Sequence, residues 1–248
     1  IFLSHLHGDH FLGLPGLLST MALHSVEGDV TVHTFAEGVD ILRPLINAVC
    51  RERTYTLHWD VVEPGTTSTV FDDGSLRVTA FPLYHRVPCV GYRFDEVNKR
   101  RHIHRESCDY YGVPNFLMNE IKDGADLVLP DGVVVPNERL TTDPTPPASY
   151  AYCSDTAMDM RVAEAVKGVE VLYHESTYGD DGLHKAAPRG HSTARQAGEI
   201  ARAAGAGSLV LGHYSKTIFD EARLASEAAE VFDGKVIAGN EGIKIDLA

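Results

Sequence analysis

The chain has 248 residues, 44 % hydrophobic and 23 % charged, enough for one large domain with a buried core and far from a disordered composition. Its formal net charge of −13, with histidine neutral, argues against non-specific nucleic-acid binding by the whole surface. It leaves room for a local basic patch, or for metals that offset carboxylates.

No apolar run approaches the ~20 residues of a membrane span. Cys50, Cys89, Cys108 and Cys153 are scattered without a C-x-x-C pair, the pattern of reduced thiols in a cytoplasmic protein rather than of a disulfide scaffold. Ile1-Phe2-Leu3 reads as a short buried strand followed at once by a histidine-rich turn. With no initiator Met and no signal segment before that strand, a true N-terminus is expected upstream. Residues 14–23 have helical spacing behind a Pro-Gly start. Residues 30–33 read as a strand and 38–49 as a helix. Asp73-Gly74 marks a hairpin leading into a strand at 77–81.

Residues 97–147 differ in character. They hold Lys99-Arg100-Arg101 and Arg105 near Tyr110, Tyr111 and Phe116, then a Thr/Pro stretch at 141–147, so we expect an insertion that returns to the core. Beyond it the rhythm of strand and helix resumes. Strands are expected at 150–153, 169–173, 208–211 and 235–238, and helices at 158–166, 193–204 and 221–231. Alternation throughout makes the class α/β with a layered core.

The strongest local signal is His5-Leu6-His7-Gly8-Asp9-His10. Three imidazoles and a carboxylate within six residues are hard to explain by packing, because such groups are costly to bury unpaired. They are the ligands that borderline zinc prefers. Four further residues follow apolar strands: His85, Asp155, His174 and His213. His191 lies in the turn Gly190-His191-Ser192-Thr193 before a helix. In open α/β sheets, ligands gather at the carboxyl ends of strands. Any one of these would more often be a capping or hydrogen-bonded residue; their shared placement is the argument. His24, His33, His58 and His184 lack that address and read as surface or satisfied core residues, and His102 and His104 lie in the basic insertion.

These residues resemble the metallo-β-lactamase superfamily: His-x-His-x-Asp-His at a strand end, then a lone His, a lone Asp and a late His. Within it, Phe81 to Pro88 followed by Gly91-Tyr92-Arg93-Phe94, Ser154-Asp155-Thr156, His174-Glu175-Ser176-Thr177, His191 to Ala197 and Leu211 to Ser215 resemble the ribonuclease Z family. The resemblance implies an αββα sandwich in a single domain over residues 1–248, with the N-terminal strands missing. It makes residues 97–147 an arm that grips tRNA, usually across a homodimer. It implies two Zn2+, or Mn2+ or another divalent ion. One would sit on His5, His7 and His85, the other on Asp9, His10 and His213, with Asp155 bridging. The implied reaction is endonucleolytic removal of the 3′ trailer from precursor tRNA by a metal-activated hydroxide, with no membrane involved. Asp9 would steer or deprotonate the water, His191 would protonate the leaving oxygen, and Glu175 would orient His191.

Lys99, Arg100, Arg101 and Arg105 are the candidate tRNA contacts of the arm, although a solvated helix face is the even alternative. Two departures matter. The Gly-Pro-rich arm tip is replaced by Gly112-Val113-Pro114-Asn115-Phe116. Thr217 stands where the family has an Arg that holds phosphate, leaving Lys216 as a point charge. Two other readings stay open: a phosphodiesterase or sulfatase for small molecules, and a metal- or RNA-binding protein without catalysis.

Overall fold

In the computed structural model, which describes residues 1–247, the chain divides into two compact units. One comprises Ile1–Asp95 and Ser149–Leu247, the other Glu96–Ala148.

The first unit rests on two sheets. Strands β1 (Gly28–Thr34) and β2 (Tyr55–Val61) pair in parallel, Gly28 opposite Tyr55 and Thr34 opposite Val61. β2 is not among the expected elements, although its residues alternate apolar and polar. The expected strand at Ile1-Phe2-Leu3 is a single parallel bridge between Phe2 and His33. Its two flanking bonds, Leu3 N–H to His33 O at 3.0 Å and His33 N–H to Ile1 O at 2.8 Å, nevertheless anchor the histidine turn that follows.

The larger sheet has seven strands: β3 (Ser68–Asp72), β4 (Leu76–Leu83), β5 (Cys89–Glu96), β6 (Ser149–Cys153), β7 (Val171–Glu175), β8 (Ser208–Gly212) and β9 (Lys235–Ala238). Their spatial order is β9-β8-β7-β6-β5-β4-β3. β6 to β9 run parallel, and β5 lies antiparallel to β6 with Tyr92 opposite Tyr152.

Seven helices complete the unit: α1 (Gly8–Phe11), α2 (Gly13–Leu23), α3 (Ala36–Val49), α4 (Met160–Ala165), α5 (Leu183–Arg189), α6 (Ala194–Ala204) and α7 (Glu221–Ala229). Helical spacing decides which face each one buries. Leu14 and Leu18 of α2, and Val39, Leu42 and Ile46 of α3, are buried at intervals of three or four. α6 begins with a capping box, the Thr193 side chain on the Gln196 N–H and the Gln196 side chain on the Thr193 N–H, and ends at Gly205 in the left-handed region. Its Gly198 lets α7 approach, since a Cβ there would stand 2.7 Å from the Ala228 carbonyl.

Three apolar clusters show how the layers stack. α2 and α3 pack on β1 and β2 through Leu18, Val32, Leu42 and Ile46. Phe35, Val62, Val78, Val90 and Tyr92 fill the space between the sheets. The far face of the larger sheet buries Leu172, Leu209 and Leu211 beneath Val162 of α4, Ile200 of α6 and Leu224 of α7. Each fully buried Leu or Ile contributes about 1.5–3 kcal/mol. The order helix, sheet, sheet, helix is the αββα sandwich, with a two-stranded outer sheet.

The second unit has its own small core of Cys108, Val113, Ile121, Leu127, Val135 and Leu140. Buried Asn137 ties it together. Its amide donates to Ile121 O and Ala125 O, both at 2.7 Å, and its carbonyl accepts from Thr141 Oγ1 at 2.6 Å. Each of its four expected RNA-facing cations is engaged with a carboxylate of the same unit: Lys99 with Glu96, Arg100 with Asp123, Arg101 with Asp143 and Arg105 with Asp109.

Candidate metal centre

The strand order delivers the chemistry to one edge. His5 follows the Phe2 bridge, His85 follows β4, Asp155 follows β6, Glu175 ends β7 and His213 follows β8. α1 carries Asp9 and His10, and the turn before α6 carries His191. His213 takes a left-handed backbone (φ 58°), strained for a residue with a Cβ and held by its surroundings.

All seven expected ligands converge. Donor atoms of His5, His7, His85 and Asp155 lie within 4.8 Å of one another, as do those of Asp9, His10 and His213. Asp155, 4 % exposed, stands between the groups. Its Oδ2 faces His5 Nε2 at 3.7 Å and His85 Nε2 at 3.8 Å, and its Oδ1 faces His10 Nε2 at 3.6 Å and His213 Nε2 at 3.3 Å. His85 Nε2 and His7 Nδ1 are 3.2 Å apart. Most of these separations are long for hydrogen bonds, but two donors bound ~2.0–2.1 Å from one tetrahedral ion stand roughly 3.3 Å apart. Buried His5 Nε2 has no hydrogen-bond partner among the described residues, which the protein alone leaves unexplained. The donor set and that orphaned nitrogen fit divalent cations.

The outer partners fix which nitrogen each ring presents. His85 Nδ1–H donates to the Gly190 carbonyl at 2.7 Å, leaving Nε2 as the lone pair. Glu175, fully buried, accepts from Thr156 N–H (3.0 Å) and His191 Nδ1–H (2.8 Å) on Oε1. Its Oε2 accepts from Thr177 N–H (2.9 Å) and the Thr177 hydroxyl (2.8 Å). With its only proton given to Glu175, Thr177 Oγ1 accepts from His213 Nδ1–H at 2.8 Å. One carboxylate therefore sets the tautomer of His191 directly and of His213 through a hydroxyl.

Neither the Thr177 relay nor the Gly190 carbonyl was expected. A hydroxyl two residues past a strand and a main-chain oxygen carry no pattern in the sequence. His174, although it shares the strand-end address, stays out of the cluster. Neighbours on a strand point to opposite faces, so it is buried with Nδ1–H on the Glu175 carbonyl at 2.7 Å. Lys216 is exposed, and Thr217 bonds the Ser215 hydroxyl at 3.0 Å.

Burial lowers the pKa of His5 to about 4, and lowers those of His10 and His85. His191 is also partly buried, but its bond to Glu175 wins and raises its pKa. As pH falls from about 6.5, the unfolded chain takes up protons before the folded one, so stability is lost; for His5 the loss is complete near about 4. The metal-free protein is thus expected to lose melting temperature across that window, with added zinc opposing the loss. Melting curves with and without chelator check this. A flat metal-free profile would contradict the burial of these rings.

Gly190 caps α5 in the left-handed region (φ 72°), and a Cβ there would stand 2.9 Å from His85 Nδ1. Gly190→Ala is expected to cost about 1–2 kcal/mol of stability and to weaken metal binding through His85. Denaturant melts and metal titration check it; unchanged metal affinity would separate the cap from the ligand.

A layered sandwich with a histidine–carboxylate cluster at its strand ends defines a metallo-hydrolase of the metallo-β-lactamase class. The family model described as the beta-lactamase superfamily domain matches residues 1–145. Over 247 residues the chain is 44 % identical to ribonuclease Z of Parabacteroides distasonis, covering 100 % of this chain and 81 % of that protein. It is 41 % identical to ribonuclease Z of Bacteroides fragilis, with the same coverage. The structure of human tRNase Z, short form, superposes with a TM-score of 0.64 at 20 % identity, covering 100 % of this chain and 78 % of the human one. The chain belongs to the ribonuclease Z family. Membership implies dependence on a divalent metal. No helix of the described residues is long and apolar enough to cross a membrane.

Proposed function

We propose that this chain is a zinc-dependent endoribonuclease that removes the 3′ trailer from precursor tRNA. The observation that carries the reading is a titratable donor beside a cation-holding cluster. His191 is fastened to Glu175 at 2.8 Å, and its ring centre lies 5.0 Å from that of His85 and 5.5 Å from that of His213. The name ribonuclease Z, borne by relatives at 44 % and 41 % identity, supplies the substrate.

His5, His7 and His85 would hold one zinc and Asp9, His10 and His213 a second, with Asp155 shared; imidazole-rich donors suit zinc, and the carboxylates would also admit manganese. When bound, such ions supply Lewis acidity to a phosphoryl oxygen and make water acidic enough to ionise near neutral pH. The remaining work falls to side chains. Asp9, with 78 % of its side chain exposed, stands at the mouth of the site and accepts the proton of the attacking water. His191 keeps Nδ1–H on Glu175 and, when charged, gives the Nε2 proton to the departing 3′ oxygen, so the tRNA leaves with a 3′-hydroxyl. The Glu96–Ala148 unit would be the tRNA-gripping arm, in a cytoplasmic homodimer. Lys99, Arg100, Arg101 and Arg105 would exchange their carboxylates for phosphates on binding.

Incubating the full-length protein with 3′-extended precursor tRNA and zinc is expected to release a discrete trailer, and Asp9→Ala to lower the rate at least about a hundredfold. No release by the wild type, or an unchanged Asp9→Ala rate, would overturn the reading. The carboxylate pairing of all four arm cations favours a second reading, hydrolysis of small phosphodiesters; it predicts turnover of a chromogenic diester without tRNA binding.

A further inference from the structure

An open cavity of about 570 Å³ shares His85 with the ligand cluster and is lined beyond it by Pro64, Tyr84, Arg86, Val87, Pro88 and Ala187 among others. Apart from His85 and one cation, its side chains are apolar or aromatic. Arg86 is the only Lys, Arg, Asp or Glu on its lining among the described residues. It is exposed and pairs with no carboxylate of the described chain. Elsewhere in the same unit, Arg77, Arg93, Arg161, Arg195 and Arg223 are each held by an acidic side chain. Arg43, Arg51, Arg53, Arg189 and Arg202 also lack a carboxylate partner among the described residues but do not line this cavity. Arg161, whose guanidinium sits 4.1 Å above the Tyr84 ring, is already engaged by Asp159. An acidic chain that leaves a guanidinium unpaired next to a metal ligand keeps its five donors for an incoming anion.

Resting on the ribonuclease reading above, we infer that this cavity is a nucleotide subsite: Arg86 binds a phosphate flanking the scissile bond, and Tyr84, Val87 and Pro88 contact the attached nucleoside. Three observations support that occupant. The cavity adjoins His85, so a strand whose phosphodiester reaches the cluster passes its mouth. The volume suits one nucleotide and leaves room for water. Charge complementarity points to an anion, since no carboxylate lines the space. The subsite also accounts for Thr217. With an uncharged hydroxyl turned to Ser215, that position offers no fork to a phosphate, whereas the Arg86 guanidinium offers one.

The test is binding of precursor tRNA to the full-length, metal-loaded protein across a salt titration, with cleavage followed in parallel. Arg86→Ala is expected to weaken binding roughly tenfold and to reduce the slope of log affinity against log salt by about 0.7, one single-strand phosphate contact. Arg86→Lys should restore the slope but only part of the affinity. Lys235→Ala, at the opposite end of β9 from the site, controls for general loss of charge. Arg86→Ala indistinguishable from Lys235→Ala in a protein that cleaves normally would overturn the subsite and spare the ribonuclease reading. A wild type that binds but does not cleave, with the Arg86 effects intact, would overturn the ribonuclease reading and uphold the subsite. A wild type that neither binds nor cleaves would overturn both.

Discussion

Asp155→Asn is expected to abolish tight metal binding and to lower kcat/KM at least about a thousandfold, while leaving the metal-free protein folded. The two halves of that expectation have separate causes. Each carboxylate oxygen faces two imidazole nitrogens at 3.3–3.8 Å, so Asp155 stands between the two groups and would be shared by the ions they hold. An amide keeps the shape but offers one neutral oxygen, and its NH2 cannot face a cation. Folding is another matter. Burial works against the charged Asp155, and His213, His10 and His5 hold its pKa below the ordinary range. Exchanging a buried charge for a neutral group of equal volume removes cost and benefit together. Elemental analysis and melting curves with and without zinc separate the two effects. A variant that retains its full complement of metal would refute the bridging role.

The histidine–carboxylate cluster was legible because its residues are chemically dense or share an address. Six residues holding three imidazoles and a carboxylate are conspicuous in any sequence, and His85, Asp155 and His213 each stand just after an apolar strand. The same rule selected His174, which the strand pleat turns to the other face. An address by strand end therefore has to be read with the period of two in mind: in His174-Glu175 only one of the neighbours can reach the site. The supporting bonds were not legible. A carbonyl such as that of Gly190 exists at every position, and only the left-handed cap of α5 brings it to His85.

Strands flanked by turn signals, such as β4, β6, β8 and β9, were read within a few residues. β2 and β5 were not read, for different reasons. β2 does carry a strand signal, Thr56, His58 and Asp60 alternating with Tyr55, Leu57, Trp59 and Val61. It has no uninterrupted apolar run, however, and its parallel register comes from pairing with β1. β5 leads straight into the inserted unit, and its end is marked only by Asn98, left-handed at φ 53°, two residues beyond Glu96. Helix α5 spans only seven residues and contains Pro188, which argues against a helix although Leu183, Lys185, Ala186 and Ala187 favour one. The seven-stranded order, with antiparallel β5 set beside parallel β6, is a tertiary outcome that no window of sequence contains.

Glu175→Gln should lower kcat by about 10²–10⁴ with KM little changed, and cost about 1–3 kcal/mol of stability. The reason is a count of protons. Glu175 receives four donors, two on each oxygen, and two of the four are main-chain N–H groups, from Thr156 and Thr177. A glutamine must place its NH2 on one side or the other. On the Oε1 side it faces His191 and Thr156 N–H. The imidazole can change tautomer to accept, which moves its proton to Nε2 and fixes the ring as neutral, but the Thr156 N–H has no such freedom. On the Oε2 side the Thr177 hydroxyl can turn and accept, yet the Thr177 N–H stays opposed, and the turned hydroxyl then donates toward His213 Nδ1. That would force His213 to present a protonated Nε2 to Asp155, from 3.3 Å. Either orientation leaves one buried backbone donor unpaired and sets one ring in the wrong tautomer. The two can be told apart: the first spoils proton delivery and spares metal affinity, the second weakens the metal. A pH–rate profile that loses its acidic-donor limb with metal content intact identifies the first. Wild-type kcat in this variant would show that Glu175 does not govern His191.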